Sequence, residues 1–226
     1  MALVYAIIGG LIATTVPLGI EFLRRPKPAL SIADPAIGRS PTGKHGFVHV
    51  RVVNEPLRKP LGRVLLRNTA TGCEASLEFL GDPPIQHTKP LPARWTSTPA
   101  PQTWNDVVGW IFARNMVPLS QVTDIQPSYA GQLITVALRY EDMPSAFAFN
   151  ADSYNTTDRD RHQCRPEYEL RGLEYAVKVN VAAGSIETTR VFRLVNGETL
   201  DDFRLEEFTP EEEKRQLDTF DARGAA

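Results

Sequence analysis

The sequence predicts a mainly β protein, an antiparallel β-sandwich with long loops and one or two short helices, preceded by a single apolar N-terminal helix. Three observations lead to this prediction. The chain opens with an uncharged apolar run, several later segments alternate apolar and polar residues, and prolines are concentrated between those segments. No alternation of strands with helices is visible, which argues against a doubly wound α/β fold.

The opening run has no charged side chain from Ala2 to Ile20. With Phe22 and Leu23 it reaches about 20 residues, the length that crosses a hydrocarbon layer of ~30 Å as a helix. A cleaved signal peptide would need a basic start and a small-x-small cleavage site, and neither is present. We therefore expect a transmembrane helix over residues 2–23, with a cleaved signal or a buried core helix as alternatives.

Basic residues follow this run directly. Arg24, Arg25 and Lys27 lie in a juxtamembrane linker over residues 24–28, whereas no Lys or Arg precedes the run. Because positive charge stays on the cytoplasmic side, we expect the N-terminus outside and the C-terminal domain in the cytoplasm, at the cell (inner) membrane. The lipid bilayer is then the first expected partner.

Composition limits the class of protein. The chain is 42% hydrophobic, enough to bury a core, and its formal net charge of −2 gives no reason to expect nucleic-acid binding. Two cysteines, Cys73 and Cys164, fit a reducing compartment in which both stay thiols. They would pair only if the domain were displayed externally.

The sandwich is expected over residues 29–208. Six runs alternate with the two-residue period of half-buried strands: FVHVRVVN, CEASLEFL, QLITVALRY, EYAVKVNV, TRVFRLVNG and DDFRLEEF. ALSIAD and AFAFN are shorter candidates. The alternate members expected inside are Val48, Val50, Val52, Cys73, Ala75, Leu77, Phe79, Ile134, Val136, Leu138, Tyr140, Tyr175, Val177, Val179, Val181, Phe192, Leu194, Phe203 and Leu205.

Two segments are expected to be helical. TWNDVVGWIFARN begins with Thr103 as N-cap, and its apolar residues recur at helical spacing. TPEEEKRQLDTF has Thr209 as N-cap, Pro210 at the first helical position and acidic residues in its first turn. Being mostly polar, this second helix should lie on the surface or fray. Residues 209–226 are thus expected to be a C-terminal helix and a flexible tail.

The segments GFVHVRVVNEP…GCEASLEFL and LEYAVKVNVAAGSIETTRVFRL resemble the opening strands and closing hairpin of immunoglobulin-like domains of uncharacterised membrane-anchored prokaryotic proteins. The resemblance covers about half of the chain and consists of strand patterns. It implies an immunoglobulin-like sandwich with a binding role, and it transfers no catalytic residue. The Trp and second Cys of antibody-type domains are absent at the expected distances, so a disulfide-pinned receptor-type domain is not expected.

Catalytic chemistry has little support in the sequence. Phosphate-binding loops, dinucleotide-binding glycines, the HExxH zinc motif and the GxSxG nucleophile motif are all missing, so we expect no enzyme and no cofactor. His45 and His49 are four apart on a strand, about 13 Å and too far for one metal, so His49 is expected to be an exposed strand residue. The loop Asp158–Cys164 combines acids, His162 and a thiol, but interleaved arginines favour a solvated loop over a metal-dependent enzyme.

Interaction surfaces are the remaining candidates. Arg51, Arg58, Lys59, Arg63 and Arg67 form a basic stretch that could face an anionic leaflet or simply be solvated.

The predicted helix around Trp104, Trp110 and Phe112 is apolar on two sides and could be core, membrane-facing or partner-facing. We expect a non-catalytic, membrane-anchored interaction or scaffold module that presents a cytoplasmic sandwich to a protein partner, with homo-oligomerisation possible. A small-ligand sensor or accessory subunit at the membrane, and an externally displayed anchored domain, are the alternatives.

Overall fold

The computed structural model describes residues 2–40, 43–86, 89–98, 102–105, 109–112, 122–150, 153 and 164–224. The elements in chain order are α1 Ala2–Arg24, β1 Pro28–Ser40, β2 Gly43–Asn54, β3 Ala70–Gly81, β4 Leu91–Pro92, β5 Arg94–Trp95, β6 Gln102–Asn105, β7 Gly109–Phe112, β8 Val122–Ile125, β9 Ser128–Tyr140, β10 Ala146–Ala148, β11 Glu169–Leu170, β12 Glu174–Ala183, β13 Ile186–Asn196, β14 Phe203–Glu207 and α2 Pro210–Gly224.

Two antiparallel sheets form the domain. Sheet A has the strand order β1-β2-β9-β10-β11, and β5 also pairs with β9. Sheet B has the order β14-β13-β12-β3-β4, and β8 also pairs with β3. The expected mainly β, two-sheet antiparallel architecture is confirmed, and it is compatible with an immunoglobulin-like domain.

The core lies between the sheets and is filled by the alternate residues of their strands. Val48, Val50 and Val52 of sheet A and Val177 and Val179 of sheet B are fully or almost fully buried there. Apolar area of this kind is the main stabilising contribution in a domain of this size. The inward faces predicted for β2, β3, β12, β13 and β14 are therefore confirmed.

Strand β9 departs from the predicted alternation. Val48 pairs with Ala137 but the next residue, His49, pairs with Thr135, so one residue of β9 is left over in a bulge. A one-residue shift moves every later side chain to the opposite face. Leu138 and Tyr140, expected in the core between the sheets, therefore belong to a second apolar cluster that does not include the inter-sheet core residues.

Two asparagines that end strands hold the connections at opposite ends of the sandwich. At the end of β2, Asn54 accepts a hydrogen bond from the Lys27 N–H (2.9 Å) and donates to the carbonyls of Asn68 (2.8 Å) and Ile125 (3.2 Å). At the end of β13, Asn196 donates to the carbonyl of Gly172 among others. Each buried carboxamide thus satisfies backbone groups that the ladder leaves unpaired.

Two stretches of sheet edge, on β1 and on the part of β13 that β14 leaves uncovered, are protected against pairing with another strand. In β1 the register shifts around Asp34 and Pro35, and such a bulge with a proline disrupts an exposed edge. In β13, pairing with β14 begins only at Phe192. At the preceding residues, Glu213 of α2 accepts hydrogen bonds from Arg190 Nε (2.7 Å) and from the Val191 N–H (3.0 Å).

Helix α2 begins as predicted and extends further than predicted. Thr209 and Glu212 form the reciprocal capping box, with the Thr209 N–H donating to the Glu212 carboxylate at 3.0 Å. Instead of fraying, the helix packs on the outer face of sheet B through buried Phe220, which contacts Val191 in a third apolar cluster. It continues to Gly224, through four of the six residues expected to form a flexible tail.

The opening helix requires a correction. α1 spans Ala2–Arg24, and its side chains are described over residues 13–24. In the part of the chain that the structure describes, no helix is long and apolar enough to cross a membrane. The transmembrane helix predicted over residues 2–23 and the single-pass location with a cytoplasmic domain are corrected on this finding.

The helix predicted from Thr103 is also wrong. Residues 102–105 and 109–112 are the two strands of a hairpin, in which Trp104 pairs with Trp110. Trp and Phe favour strands. The side chains of Trp104, Trp110 and Phe112 lie outside the described residues.

Candidate functional site

One end of the sandwich combines α1 with the connection between β2 of sheet A and β3 of sheet B. We call it the base end: β2 finishes there at Asn54, and β3 starts there at Ala70. The connection over residues 55–69, here called the basic loop, is tied to the end of α1. The Asn68 N–H donates to the Arg24 carbonyl at 2.7 Å, and Arg67 Nη1 donates to the Arg25 carbonyl.

The basic loop has a fixed internal conformation. Residues Leu61–Arg63 form a 3-10 turn, in which the Gly62 N–H donates to the Arg58 carbonyl (3.0 Å) and the Leu65 N–H to the Leu61 carbonyl (2.9 Å). Gly62 is required there, because a Cβ at this position would collide with the Leu57 carbonyl oxygen. The loop therefore presents its side chains in a defined arrangement.

Three large apolar side chains of the basic loop face solvent. Leu61 is 46% exposed, Val64 85% and Leu66 76%. Single exposed apolar residues are ordinary on protein surfaces, whereas three within one short loop make that loop a candidate interaction site.

The same loop carries unneutralised positive charge. Arg58, Lys59 and Arg63 are exposed, and the sequence contains no Asp or Glu from residue 56 to residue 73. The adjacent acid, Glu55, is bound to Lys27 at 2.8 Å. That hydrogen bond is the main reason why the pKa of Glu55 lies below its usual value, with the charges of Lys27, Arg58 and Arg67 adding to it.

The structure brings the predicted flank residues to this surface. Arg24 lies 3.5 Å from Glu21, the Arg25 guanidinium lies over the Phe22 ring, and Lys27 binds Glu55. Together with Arg58, Lys59, Arg63 and Arg67 they make the base end basic. Arg51 is not part of the base end. It lies on the outer face of sheet A, the same face as His49, which is two residues away on β2.

The opposite end of the sandwich, the far end, has a recess of about 290 Å³. Its lining residues are Ile37, Lys44, Glu141, Glu198, Thr199, Leu200 and Asp201.

The backbone of this recess is anchored by a buried arginine. Arg139 donates to the carbonyls of Gly197, Glu198 (2.7 Å) and Thr199 (3.3 Å), which fixes the connection between β13 and β14. Burial lowers the pKa of Arg139, although the charge of Asp202 partly opposes this.

Both cysteines are buried free thiols. Cys73 lies in the core between the sheets, where its Sγ contacts the Ala70 carbonyl at 3.3 Å, whereas Cys164 packs with Leu138 and Phe149 in the second apolar cluster. Burial raises the pKa of both thiols, most strongly that of Cys164. The disulfide considered for an externally displayed domain is therefore absent.

The histidines do not form a metal site with other described residues. His49 was expected to be exposed but is only 7% exposed, stacked against Phe47 with ring centroids 6.0 Å apart, and burial lowers its pKa. His45 packs edge-on against the other side of Phe47 and covers Gly38 of β1. Among the described residues no group of three or more His, Cys, Asp and Glu could hold a metal ion. Residues 158–163 of the proposed metal loop lie outside them.

Further cavities flank α2. One of about 440 Å³ lies beside Phe220 and Lys89, and another of the same volume beside Phe208 and Gln216. Among the described residues, those that line these two cavities form no arrangement typical of a catalytic site. Sequence reasoning identified the charges of the basic loop but missed its apolar residues, although LGRVLL in the printed sequence was the available signal.

Comparison of the chain with protein-family models, with curated proteins and with solved structures finds no match in any of the three.

Proposed function

We propose that this chain is a non-catalytic interaction module that docks a protein partner through the basic loop. The observation that carries the proposal is the exposure of Leu61, Val64 and Leu66 among basic residues, in a stretch of sequence from residue 56 to residue 73 that contains no Asp or Glu. Burying such side chains against a partner gains roughly 25 cal/mol per Å² of apolar surface. The surrounding charges select the partner and its orientation.

Two stretches of sheet edge support docking by strand addition less well. The outer edge of β1 is disrupted by the bulge at Asp34 and Pro35, and the stretch of β13 that β14 leaves uncovered is occupied by the Arg190–Glu213 pair. The basic loop is different because its backbone is held internally and at α1, so little conformational entropy is lost on binding.

Site-specific photo-crosslinking tests the proposal. A photoreactive amino acid placed at Leu66 of the full chain should give one discrete protein adduct, and the same group at exposed Asp218 of α2 should give none. The adduct should disappear when Arg58→Glu and Arg63→Glu are introduced together. The purified partner, identified by mass spectrometry, should then bind the double variant at least tenfold more weakly than the wild type.

Two results would contradict the proposal. One is the absence of any adduct at Leu66, and the other is the same set of adducts from Leu66 and Asp218. Both positions are exposed, so a difference between their adducts shows which surface binds a partner and does not reflect how accessible the photoreactive group is.

A further inference from the structure

We propose that the partner of the basic loop is the far end of a second copy of this chain, so that copies associate head to tail. This inference rests on the proposed function and names its partner. It follows from the charge, the shape and the placement of the two ends.

The charges of the two ends are complementary. The basic loop exposes Arg58, Lys59 and Arg63, whereas the far-end recess is lined by Glu198 and Asp201, both exposed. The one lysine in the recess, Lys44, is neutralised by Glu141 at 3.0 Å. Unlike charges on facing surfaces accelerate encounter and fix the register of a complex.

The shapes are complementary as well. Ile37, 58% exposed, and Leu200 form an apolar part of the 290 Å³ recess, which is large enough to accept an aliphatic side chain. Val64 and Leu66 are the most exposed of the three apolar side chains of the basic loop. An apolar contact surrounded by charged pairs is the usual organisation of a specific interface.

The placement of the two ends determines the geometry of association. Strand β2 runs from Gly43 at the far end to Asn54 at the base end, which separates the two surfaces by about 40 Å. They cannot meet within one copy. A symmetric dimer that uses the base end twice would bring like charges together, so the contact is heterologous and repeats along a line.

Complementary single-surface variants test this geometry. Val64→Glu/Leu66→Glu removes the base-end surface, and Glu198→Lys/Asp201→Lys removes the far-end surface. All four side chains are exposed, so the fold should be retained. The full chain and both variants are compared by sedimentation equilibrium from about 5 to 200 µM, because two small patches should associate in the micromolar range.

The inference predicts that the wild-type mass rises continuously with concentration and that each variant alone stays monomeric. An equimolar mixture of the two variants should reach the mass of a dimer and stop there, because each complex uses the one intact surface of each copy. Raising the salt from about 50 to 500 mM should weaken the wild-type association about tenfold. Glu211→Lys/Asp218→Lys, which makes the same change of charge on α2, should associate like the wild type.

Three outcomes would overturn the inference: a wild-type chain that stays monomeric throughout the concentration range, a mixture that stays monomeric, or variants that associate as strongly as the wild type. The proposed function is decided separately. A crosslink from Leu66 to a different protein would uphold docking through the basic loop while overturning self-association.

Discussion

Replacing Asn54 with alanine should destabilise the fold, because its carboxamide ties three segments together at the base end. The carboxamide is fully buried and bonds to three separate segments: the linker after α1 at Lys27, the end of the basic loop at Asn68, and β8 at Ile125. The substitution leaves one N–H and two carbonyls without that partner. None of these groups can be satisfied by the methyl group of alanine.

The magnitude follows from the burial of each bond. A buried polar group left without a partner costs about 1–3 kcal/mol. The bond to the Ile125 carbonyl is buried, whereas those to Lys27 and Asn68 are partly buried and can be replaced in part by water. We therefore expect a loss of about 3 kcal/mol in the free energy of unfolding, which corresponds to a fall of roughly 6–12 °C in Tm.

Urea unfolding followed by tryptophan fluorescence measures this change, because Trp95 is fully buried and reports the opening of the core. Asn68→Ala is the matched control, since it removes a carboxamide nearby but keeps the backbone carbonyl that Asn54 binds. It should change the stability by less than about 0.5 kcal/mol. A loss below about 1 kcal/mol in Asn54→Ala, at an unchanged dependence on urea, would refute the role assigned to this residue.

Four further outcomes are expected. Arg139→Met should cost about 3 kcal/mol and accelerate hydrogen exchange over residues 197–202, because three carbonyls lose their donor; unchanged exchange would contradict this. The hydrogen bond from the Thr209 backbone N–H is the main cause of the lowered pKa of Glu212 in the folded chain. The ionised Glu212 therefore stabilises the fold above the ordinary carboxyl pKa, and this stabilisation is lost as the pH falls through the folded value. Glu212→Gln should flatten the pH dependence of helicity measured by circular dichroism between about pH 6 and 3. Burial lowers the pKa of His49 below 6.5, so calorimetry should give a lower Tm at about pH 5 than at pH 7.5, and His49→Gln should reduce that difference. Cys73 and Cys164 should resist a thiol reagent in the native chain and should both react in guanidinium without added reductant, whereas failure to react there would indicate a disulfide.

The faces of most strands could be predicted from the sequence. In β3 and β12 the two-residue period identifies the inward side chains because nothing interrupts the ladder between these two strands, and in β2 the period holds because the extra residue of the bulge belongs to β9. The start of α2 was equally legible, since the predicted N-cap Thr209 and Pro210 act within one turn. Strand alternation and helix capping depend on residues close together in the chain, so the sequence alone is enough to predict them.

Strand β9 and the segment 102–112 show where local pattern was insufficient. The bulge in β9 depends on its pairing with β2, a strand more than 80 residues away, and it alone turns Leu138 and Tyr140 to the outer face. For the segment that became β6 and β7, the same apolar residues fit a helix or a hairpin, and the sequence pattern favoured the wrong one.

The sequence by itself determined that this chain builds an antiparallel β domain and that residues 58–67 are basic. Only the tertiary structure decided that these charges share a surface with exposed Val64 and Leu66, that the surface adjoins α1, and that an acidic recess lies at the opposite end. The physical reason is that periodicity and charge are properties of neighbouring residues, whereas a surface is assembled by strand register and by contacts such as those of Asn54 between distant segments.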